Sequence, residues 1–232
     1  MKAMILAAGR GERMRPLTDH LPKPLLEAGG KPLIVWHIER LVAAGITDIV
    51  INHAHLGQKL VQALGDGSAF GASIRWSAEP EGALETAGGI AHALPLLGDA
   101  PFIVINGDTW CDPDIAALAR AADTLVAGGC VAHLLMVPNP PHHPEGDFVL
   151  RDDKLFEAEE GNAGRLTFSG IAAYQPALFR ALAPDQPARL APLLRAAMRE
   201  GRVSGALHDG QWFDVGTPQR LAEVDALARP RS

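Results

Sequence analysis

The sequence predicts an α/β fold in which helices cover both faces of a central, parallel sheet. Apolar runs of strand length alternate with segments of helical periodicity through residues 2–108. Each run is apolar almost without interruption, which is typical of strands that are buried on both faces. Polar or glycine-rich segments follow the strand ends, where ligands bind to such sheets.

The first half of the chain contains four expected strands and three expected helices. Pro32 suits the first turn of the first helix, and Gly45 suits its C-terminal cap. The expected strands are KAMILAA, DIVINHA, ASIRWSAE and PFIVINGD, and the expected helices cover residues 31–45, 58–64 and 85–97. Three segments follow strand ends, 9–15, 79–89 and 106–108, and we expect them to converge on one crevice.

The second half has a different pattern, with more polar β-structure around a proline-rich loop, PNPPHHPEG. The expected β-segments are CVAHLLMV, DFVLRDDKLFEAEEG and RLTFSGIAAY. The expected helices are 114–123, 176–183, 190–200 and, after RVSGALH and QWFDVG, one that begins at Pro218. No repeat or linker divides the chain. We therefore expect a single domain, 1–232, with halves at about 1–110 and about 111–232.

Composition and charge exclude several classes of protein. The formal net charge is −6, so no overall basic field favours nucleic acid. The two cysteines, Cys111 and Cys130, make neither a disulfide framework nor zinc-ligand spacing, so we expect buried or free thiols. The N-terminal apolar run breaks at Gly9, too early for a signal peptide, and no later run reaches the length of a membrane span. We therefore expect a cytoplasmic protein that binds neither nucleic acid nor a membrane.

The loop after the first strand, GRGERMRPLTDHLPKPLL, is basic and rich in glycine, which indicates an anion site. A Walker loop is excluded because Met14 stands where its second glycine should follow Gly9. Met14 also removes the third glycine of a dinucleotide fingerprint, and three prolines prevent the helix that should follow. Backbone N–H groups, together with Arg13, Arg15 and Lys23, could instead hold phosphate oxygens.

This loop and four later segments resemble the sugar-1-phosphate nucleotidyltransferases. The matching segments are LAAGRGERMRPLTDHLPKPL, EGALETAGG, VINGD, TFSGIAAY and WFDVGTPQRL, in family order along essentially the whole chain. The resemblance implies a Rossmann-like three-layer α/β/α nucleotidyltransferase fold with a mixed, mostly parallel central sheet and a small β-rich sugar-binding region. The first half would bind the nucleotide and the second half the sugar. Relatives that also acetylate carry hexapeptide repeats, which do not follow the closing helix here, so we expect no C-terminal left-handed β-helix.

The resemblance also implies roles for individual residues. Lys23 and Arg13 would be catalytic, with Lys23 between the reacting phosphates and Arg13 on the triphosphate. Asp108 and Asp214 would bind Mg²⁺. The nucleotide would contact Ala7, Ala8, Gly9, Gly11, Glu12, Arg13, Lys23, Glu79, Gly82 and Thr86, and the sugar would contact Asn106, Asp147 and Gly170.

These residue types suit the transfer of a nucleotidyl group from a nucleoside triphosphate to a sugar 1-phosphate. Because the attacking phosphate is already an anion, no general base is needed, and catalysis is mostly positioning and electrostatic stabilisation. Lys23 and Arg13 would offset the repulsion of two polyanions, and Mg²⁺ held by carboxylate oxygens would add to this effect. A catalytically dead regulatory homologue should lack one of these residues, and all are present.

The segment LETAGG favours one pair of substrates, because it resembles one branch of the family. Glu85 stands where many relatives have glycine, and the segment resembles the branch that joins UTP to N-acetylmuramic acid 1-phosphate in cell-wall recycling. Residue chemistry does not choose the base, because a Glu79 carboxylate would accept the N3–H of uracil but would suit the two donors of guanine as well. A mannose-1-phosphate guanylyltransferase and a glucose-1-phosphate uridylyl- or thymidylyltransferase stay open, as does a homodimer.

Two pairs of histidines are not assigned to a functional site. His53 and His55 have strand spacing but no third ligand, and His142 and His143 lie in the proline-rich loop, where we expect them to be solvated. Arg15 ranks below Arg13 as a phosphate ligand because a nearby carboxylate could pair with it.

Overall fold

A computed structural model describes residues 1–80, 84–157 and 164–229 and is a mixed α/β structure. The strands are β1 (Lys2–Leu6), β2 (Glu27–Ala28), β3 (Lys31–Pro32), β4 (Asp48–His53), β5 (Ser73–Ala78), β6 (Phe102–Asn106), β7 (Thr109–Cys111), β8 (Ala132–Val137), β9 (Phe148–Arg151), β10 (Lys154–Glu157), β11 (Arg165–Tyr174), β12 (Val203–Leu207) and β13 (Trp212–Asp214). The helices are α1 (Leu33–Ala43), α2 (Gly57–Leu64), α3 (Glu85–Leu97), α4 (Ile115–Thr124), α5 (Leu190–Arg199) and α6 (Pro218–Ala228).

Nine strands form one sheet in the order β5-β4-β1-β6-β11-β8-β12-β10-β9. The pairs β4–β5, β1–β4, β1–β6 and β8–β12 are parallel. Strand β11 is antiparallel to β6 and β8, and β10 is antiparallel to β12 and β9. Only β10 and β11 therefore oppose the other strands of this sheet, which confirms the predicted mixed, mostly parallel arrangement.

The core is divided between the two faces of the sheet. Alternate residues of β1 point to opposite faces, as the strand pleat requires. Ala3 and Ile5 belong to a cluster that includes residues of α1, α2 and α4, whereas Met4 belongs to a cluster that includes residues of α3 and α5. Helices therefore cover both faces, as the apolar strand pattern predicts.

A two-stranded ladder outside the main sheet joins distant parts of the chain. Strands β7 and β13 pair antiparallel, with Asp214 opposite Thr109. Thr109 follows Asp108 directly, so the ladder brings together the two aspartates that the resemblance assigns to Mg²⁺.

The helix predicted over 176–183 is wrong, because the structure has only a 3-10 turn at Pro176–Leu178. Phe179 is instead fully buried, with its ring 6.3 Å from that of Phe102 and 5.4 Å from that of Tyr174. This packing fixes the segment without a helix.

Both cysteines are free and buried, as expected. Across the described ranges 1–80, 84–157 and 164–229, the helices are too short or too polar to span a bilayer.

Candidate active site

The loop after β1 is held in place by a few buried contacts. The amide of Ala7 donates to Asn52 Oδ1 over 2.8 Å, and Met14 is 1% exposed. Gly11 has a φ of +65°, and a Cβ there would lie 3.0 Å from Thr18 and 3.1 Å from Lys23. A side chain at this position would therefore be both strained and crowded. These contacts fix the loop against β4 and against the segment that carries Lys23.

Lys23 is a buried lysine at the base of this loop. Its residue is 5% exposed, and its Nζ donates to Asp108 Oδ2 over 2.7 Å. Asp108 lies two residues after the end of β6, and its side chain is 41% exposed. The ammonium group thus lies inside the site, while its carboxylate partner faces the opening.

These residues line a cavity of about 530 Å³ at the carboxyl ends of the strands. Every predicted nucleotide residue except Gly82 lines this cavity, and Gly82 lies outside the described residues. The predicted members are Ala7, Ala8, Gly9, Gly11, Glu12, Arg13, Lys23, Glu79 and Thr86, joined by Asn106 and Asp108. The predicted convergence on one crevice is therefore confirmed, whereas the role of each residue stays a prediction.

Arg13 lies beside Asp214 at one wall of the cavity. A Cβ at Gly216 would lie 3.2 Å from Arg13 Nη1, 3.1 Å from Arg220 Nη1 and 3.1 Å from Asp214 Oδ2. Gly216 thus leaves the space beside which two guanidinium groups and a carboxylate lie. Arg220 donates to Asp214 Oδ2 over 3.0 Å.

The two aspartates fit a magnesium ion by donor chemistry, because Mg²⁺ prefers carboxylate oxygens with phosphates and waters in the remaining positions. Asp108 lines the cavity directly, and Asp214 is two residues from the lining residue Gly216. The ion pairs with Lys23 and Arg220 use one oxygen of each carboxylate, Oδ2 in both cases.

Glu79 is held by the protein rather than left open toward a base. Asn52 Nδ2 donates to Glu79 Oε1 over 2.6 Å, and the amide of Leu84 donates to Oε2 over 3.4 Å. A Cβ at Gly89 in α3 would lie 2.5 Å from Glu79 Oε1. Asn52 therefore links the loop at Ala7 to Glu79, a structural connection that sequence reasoning misses.

A second cavity, of about 300 Å³, adjoins the first. Both cavities are lined by Leu6, Glu85, Thr86 and Asn106. All three predicted sugar residues, Asn106, Asp147 and Gly170, line the second one. The described site is therefore a pair of adjoining chambers, with Asn106 at their boundary.

Gly170 makes room for Asn106. Its φ is +80°, and a Cβ there would lie 2.3 Å from Asn106 Nδ2. The register of β11 against β8 shifts between Phe168 and Ala172, around this glycine. The group that lies close to the backbone at Gly170 is therefore the side chain of Asn106.

The two histidines of the proline-rich loop contact site aspartates, which corrects the expectation that they are simply solvated. His143 Nε2 lies 3.1 Å from Asp147 Oδ1, and the amide of Phe168 donates to Asp147 Oδ2 over 2.8 Å. His142 Nε2 lies 3.5 Å from Asp214 Oδ2. Desolvation, followed by the charge of Arg220, lowers the pKa of His142. The loop thus touches both halves of the site.

The secondary candidates have structural partners. Arg15 pairs with Asp19 at 3.4 Å, the kind of nearby carboxylate partner expected for it from the sequence. His53 is buried with its ring 5.7 Å from that of Trp76. Two residues that sequence reasoning missed have a sequence signal, because Asn52 is a polar residue next to the end of the apolar strand β4 and Arg220 lies in the WFDVGTPQRL motif.

Comparisons with known proteins agree with this architecture. The family model described as nucleotidyl transferase matches residues 2–229. A Neisseria meningitidis N-acetylmuramate alpha-1-phosphate uridylyltransferase is 57% identical over 98% of this chain and 98% of its own length. The Caulobacter vibrioides enzyme of the same name is 37% identical over 97% and 95%. A crystal structure from Bacillus anthracis, assigned as a glucose-1-phosphate thymidylyltransferase and bound to sucrose, superposes with a TM-score of 0.84 at 25% identity, covering 100% and 96% of the two chains.

Proposed function

This chain belongs to the nucleotidyl transferase family, and we propose that it joins UTP and N-acetylmuramic acid 1-phosphate to give UDP-N-acetylmuramic acid and pyrophosphate. It is a sugar-phosphate uridylyltransferase in this proposal. The larger cavity receives the nucleotide and the adjoining smaller one receives the sugar. The N-terminal half thus supplies most of the nucleotide side, and the C-terminal half most of the sugar side.

One observation carries the choice of substrates. Similarity to the Neisseria uridylyltransferase extends over nearly the full length of both chains, so it includes the segments that line both cavities. The geometry supports the reaction class, because two adjoining chambers can hold two substrates side by side and Lys23 and Arg13 line the larger one.

The proposed mechanism uses Lys23 and Arg13 as fixed charges. An oxygen of the sugar phosphate attacks the α-phosphorus of UTP, the bond from this phosphorus to the bridging oxygen breaks, and pyrophosphate leaves with the electron pair. Lys23 offsets the charge on the α-phosphate and the attacking phosphate, and Arg13 holds the leaving pyrophosphate. Lys23 is positioned before the reaction by its hydrogen bond to Asp108, and Arg13 lies next to Gly216 at the cavity.

Asp108 and Asp214 would hold Mg²⁺ in this proposal. The ion would supply charge stabilisation at the reacting phosphate oxygens. Lys23 and Arg220 hold one oxygen of each carboxylate and so orient the pair.

The biological setting follows from the proposed reaction. UDP-N-acetylmuramic acid is a peptidoglycan precursor, and we propose that the enzyme acts in peptidoglycan recycling in the cytoplasm. The homodimer that the sequence leaves open is tested by light scattering after gel filtration.

A matrix of four nucleoside triphosphates against three sugar 1-phosphates, with Mg²⁺ and a pyrophosphate readout, tests the proposal. The sugars are the 1-phosphates of N-acetylmuramic acid, mannose and glucose. We expect the highest kcat/KM with UTP and N-acetylmuramic acid 1-phosphate. Preference for GTP with mannose 1-phosphate, or for glucose 1-phosphate with UTP or dTTP, would overturn the choice of substrates.

A further inference from the structure

Arg189 is the only basic side chain among the described residues that line the second cavity. It follows a non-helical segment and precedes α5, so it is the N-cap residue of that helix. Its side chain is 79% exposed, and its Nε lies 3.7 Å from Glu85 Oε1. A pair at this distance and exposure contributes little to stability, so the guanidinium remains available to a ligand.

The backbone next to Arg189 is fixed to α3. The amides of Ala87 and Gly88 donate to the carbonyl oxygen of Ala188 over 2.9 and 3.1 Å, and the amide of Ala188 donates to Leu84 over 2.9 Å. A Cβ at Gly88 would lie 2.6 Å from the carbonyl oxygen of Gln186. Glycine at this position therefore permits the close contact that presents Arg189 to the cavity.

The beginning of α5 offers further positive potential to the same cavity. Leu190 and Ala191 both line it, and no side chain caps the helix in the described part of the protein. Their amides belong to the first turn, where N–H groups lack partners within the helix. A carboxylate at this end would interact favourably with these N–H groups and with the helix dipole.

A second polar group, the hydroxyl of a residue that lines the same cavity, lacks a partner within the described ranges. Tyr174 lines the cavity and is 1% exposed, and its hydroxyl has no hydrogen-bond partner among the described residues. Burial also raises the pKa of Tyr174, so this group is a neutral donor. An unpaired buried hydroxyl is costly, and a ligand group that reached it by a small shift of the ring would remove that cost.

Glu85 lies between the two cavities and faces Arg189. Its φ is +59°, a conformation that non-glycine residues rarely adopt. Glu85 lines both cavities, and its carboxylate is the anionic partner of Arg189. A carboxylate on the sugar would replace this weak contact.

We propose that Arg189, with the first turn of α5, binds the carboxylate of the sugar substrate and is a specificity-determining residue. The inference rests on the proposed function. N-acetylmuramic acid differs from N-acetylglucosamine by a lactyl ether that carries this carboxylate. A guanidinium forms charge-assisted, bidentate hydrogen bonds with such a group, whereas a sugar without it offers no equivalent partner. Arg189 would therefore select the muramic substrate without taking part in the chemistry.

The test compares two sugar phosphates on the Arg189→Gln variant. KM is measured for N-acetylmuramic acid 1-phosphate, and an inhibition constant is measured for N-acetylglucosamine 1-phosphate as a competitor. We expect KM to rise about 10- to 100-fold, while kcat changes much less and the inhibition constant changes less than about threefold. Arg189→Lys should recover part of the lost affinity, because it keeps the charge but not the planar fork.

Arg195→Gln is the matched control, because Arg195 lies in the same helix, lines neither described cavity and pairs with Glu157 at 3.9 Å. It should leave both constants unchanged. If Arg189→Gln weakens the binding of both sugar phosphates equally, or the binding of neither, the proposed role of Arg189 is wrong. The proposed function would not be affected by that result. Failure of the unmodified enzyme to use N-acetylmuramic acid 1-phosphate would overturn the proposed function, and the inference with it.

Discussion

Lys23 Nζ lies 2.7 Å from Asp108 Oδ2, although 85 residues separate them in sequence. The lysine is buried, whereas the aspartate side chain is 41% exposed toward the cavity. A buried ammonium group that donates to one carboxylate at a cavity wall has further N–H donors for a phosphate oxygen. We therefore expect Lys23 to stabilise the charge of a bound phosphate group from this position.

Replacing Lys23 should reduce turnover and preserve the fold. Because Lys23→Ala removes a positioned charge from the reacting phosphates, we expect kcat to fall by at least about 100-fold. Circular dichroism should be unchanged, since the released Asp108 side chain can be solvated. Lys31→Ala is the control, because Lys31 forms an ion pair with Glu39 outside the cavity. Near-normal pyrophosphate release by folded Lys23→Ala would remove Lys23 from the mechanism.

Replacing either predicted metal ligand should change the response to Mg²⁺. We expect Asp108→Asn and Asp214→Asn each to raise the Mg²⁺ concentration for half-maximal rate by about tenfold or more, because an amide is a weaker ligand. Asp99→Asn removes an exposed carboxylate that pairs with Arg180 and should leave this concentration unchanged. A variant that retains the unmodified metal response identifies its aspartate as a structural residue.

Asn52 should matter for stability and for nucleotide binding together. Asn52→Ala removes the bonds to Ala7 and Glu79 and leaves buried polar groups unpaired, at about 1–3 kcal/mol. We expect a lower Tm and a higher KM for UTP, measured by calorimetry and initial rates. Asn52→Asp keeps the acceptor for Ala7 but places a carboxylate against Glu79, so it should be at least as destabilising. An Asn52→Asp protein that melts like the unmodified one would contradict this account.

His37 should make the folded protein sensitive to acid. Burial lowers its pKa from 6.5 to about 4, against opposing contributions from its hydrogen bond to Thr109 and from the charge of Asp108. Arg40 also lowers the pKa. Since the unfolded chain takes up the proton first, stability is complete above pH 6.5 and is lost as pH falls toward about 4.

His37→Gln tests this dependence, because glutamine can still donate to the Thr109 carbonyl oxygen, which lies 2.8 Å from His37 Nε2. The free energy of unfolding is measured by urea denaturation across this pH range. We expect the variant to lose less stability than the unmodified protein, by up to about 1.4 kcal/mol per pH unit. Parallel pH profiles for the two proteins would assign the acid sensitivity to other groups.

The sequence predicted the parallel core and the converging loops because their signals are local. Apolar strand runs and the glycines and prolines of residues 9–24 each constrain their own backbone. Those features also predicted that the segments after the strands converge on one crevice, whereas the sugar residues came from the family resemblance.

The contacts that sequence reasoning missed depend on long-range geometry. Strands β7 and β13 have three residues each, too few for a periodic signal, yet their ladder brings Asp214 to Thr109. The contact of His143 with Asp147 depends on how the proline-rich loop folds back, and that of Glu85 with Arg189 depends on the bonds of Ala188 to α3. None of these partners is marked by spacing along the chain.

The most direct test of the central claim is product analysis by mass spectrometry after reaction of UTP with N-acetylmuramic acid 1-phosphate and Mg²⁺. We predict UDP-N-acetylmuramic acid and pyrophosphate in equal amounts, both strongly reduced with Lys23→Ala. Formation of UMP and pyrophosphate without the sugar nucleotide, or no reaction with this pair, would contradict the account.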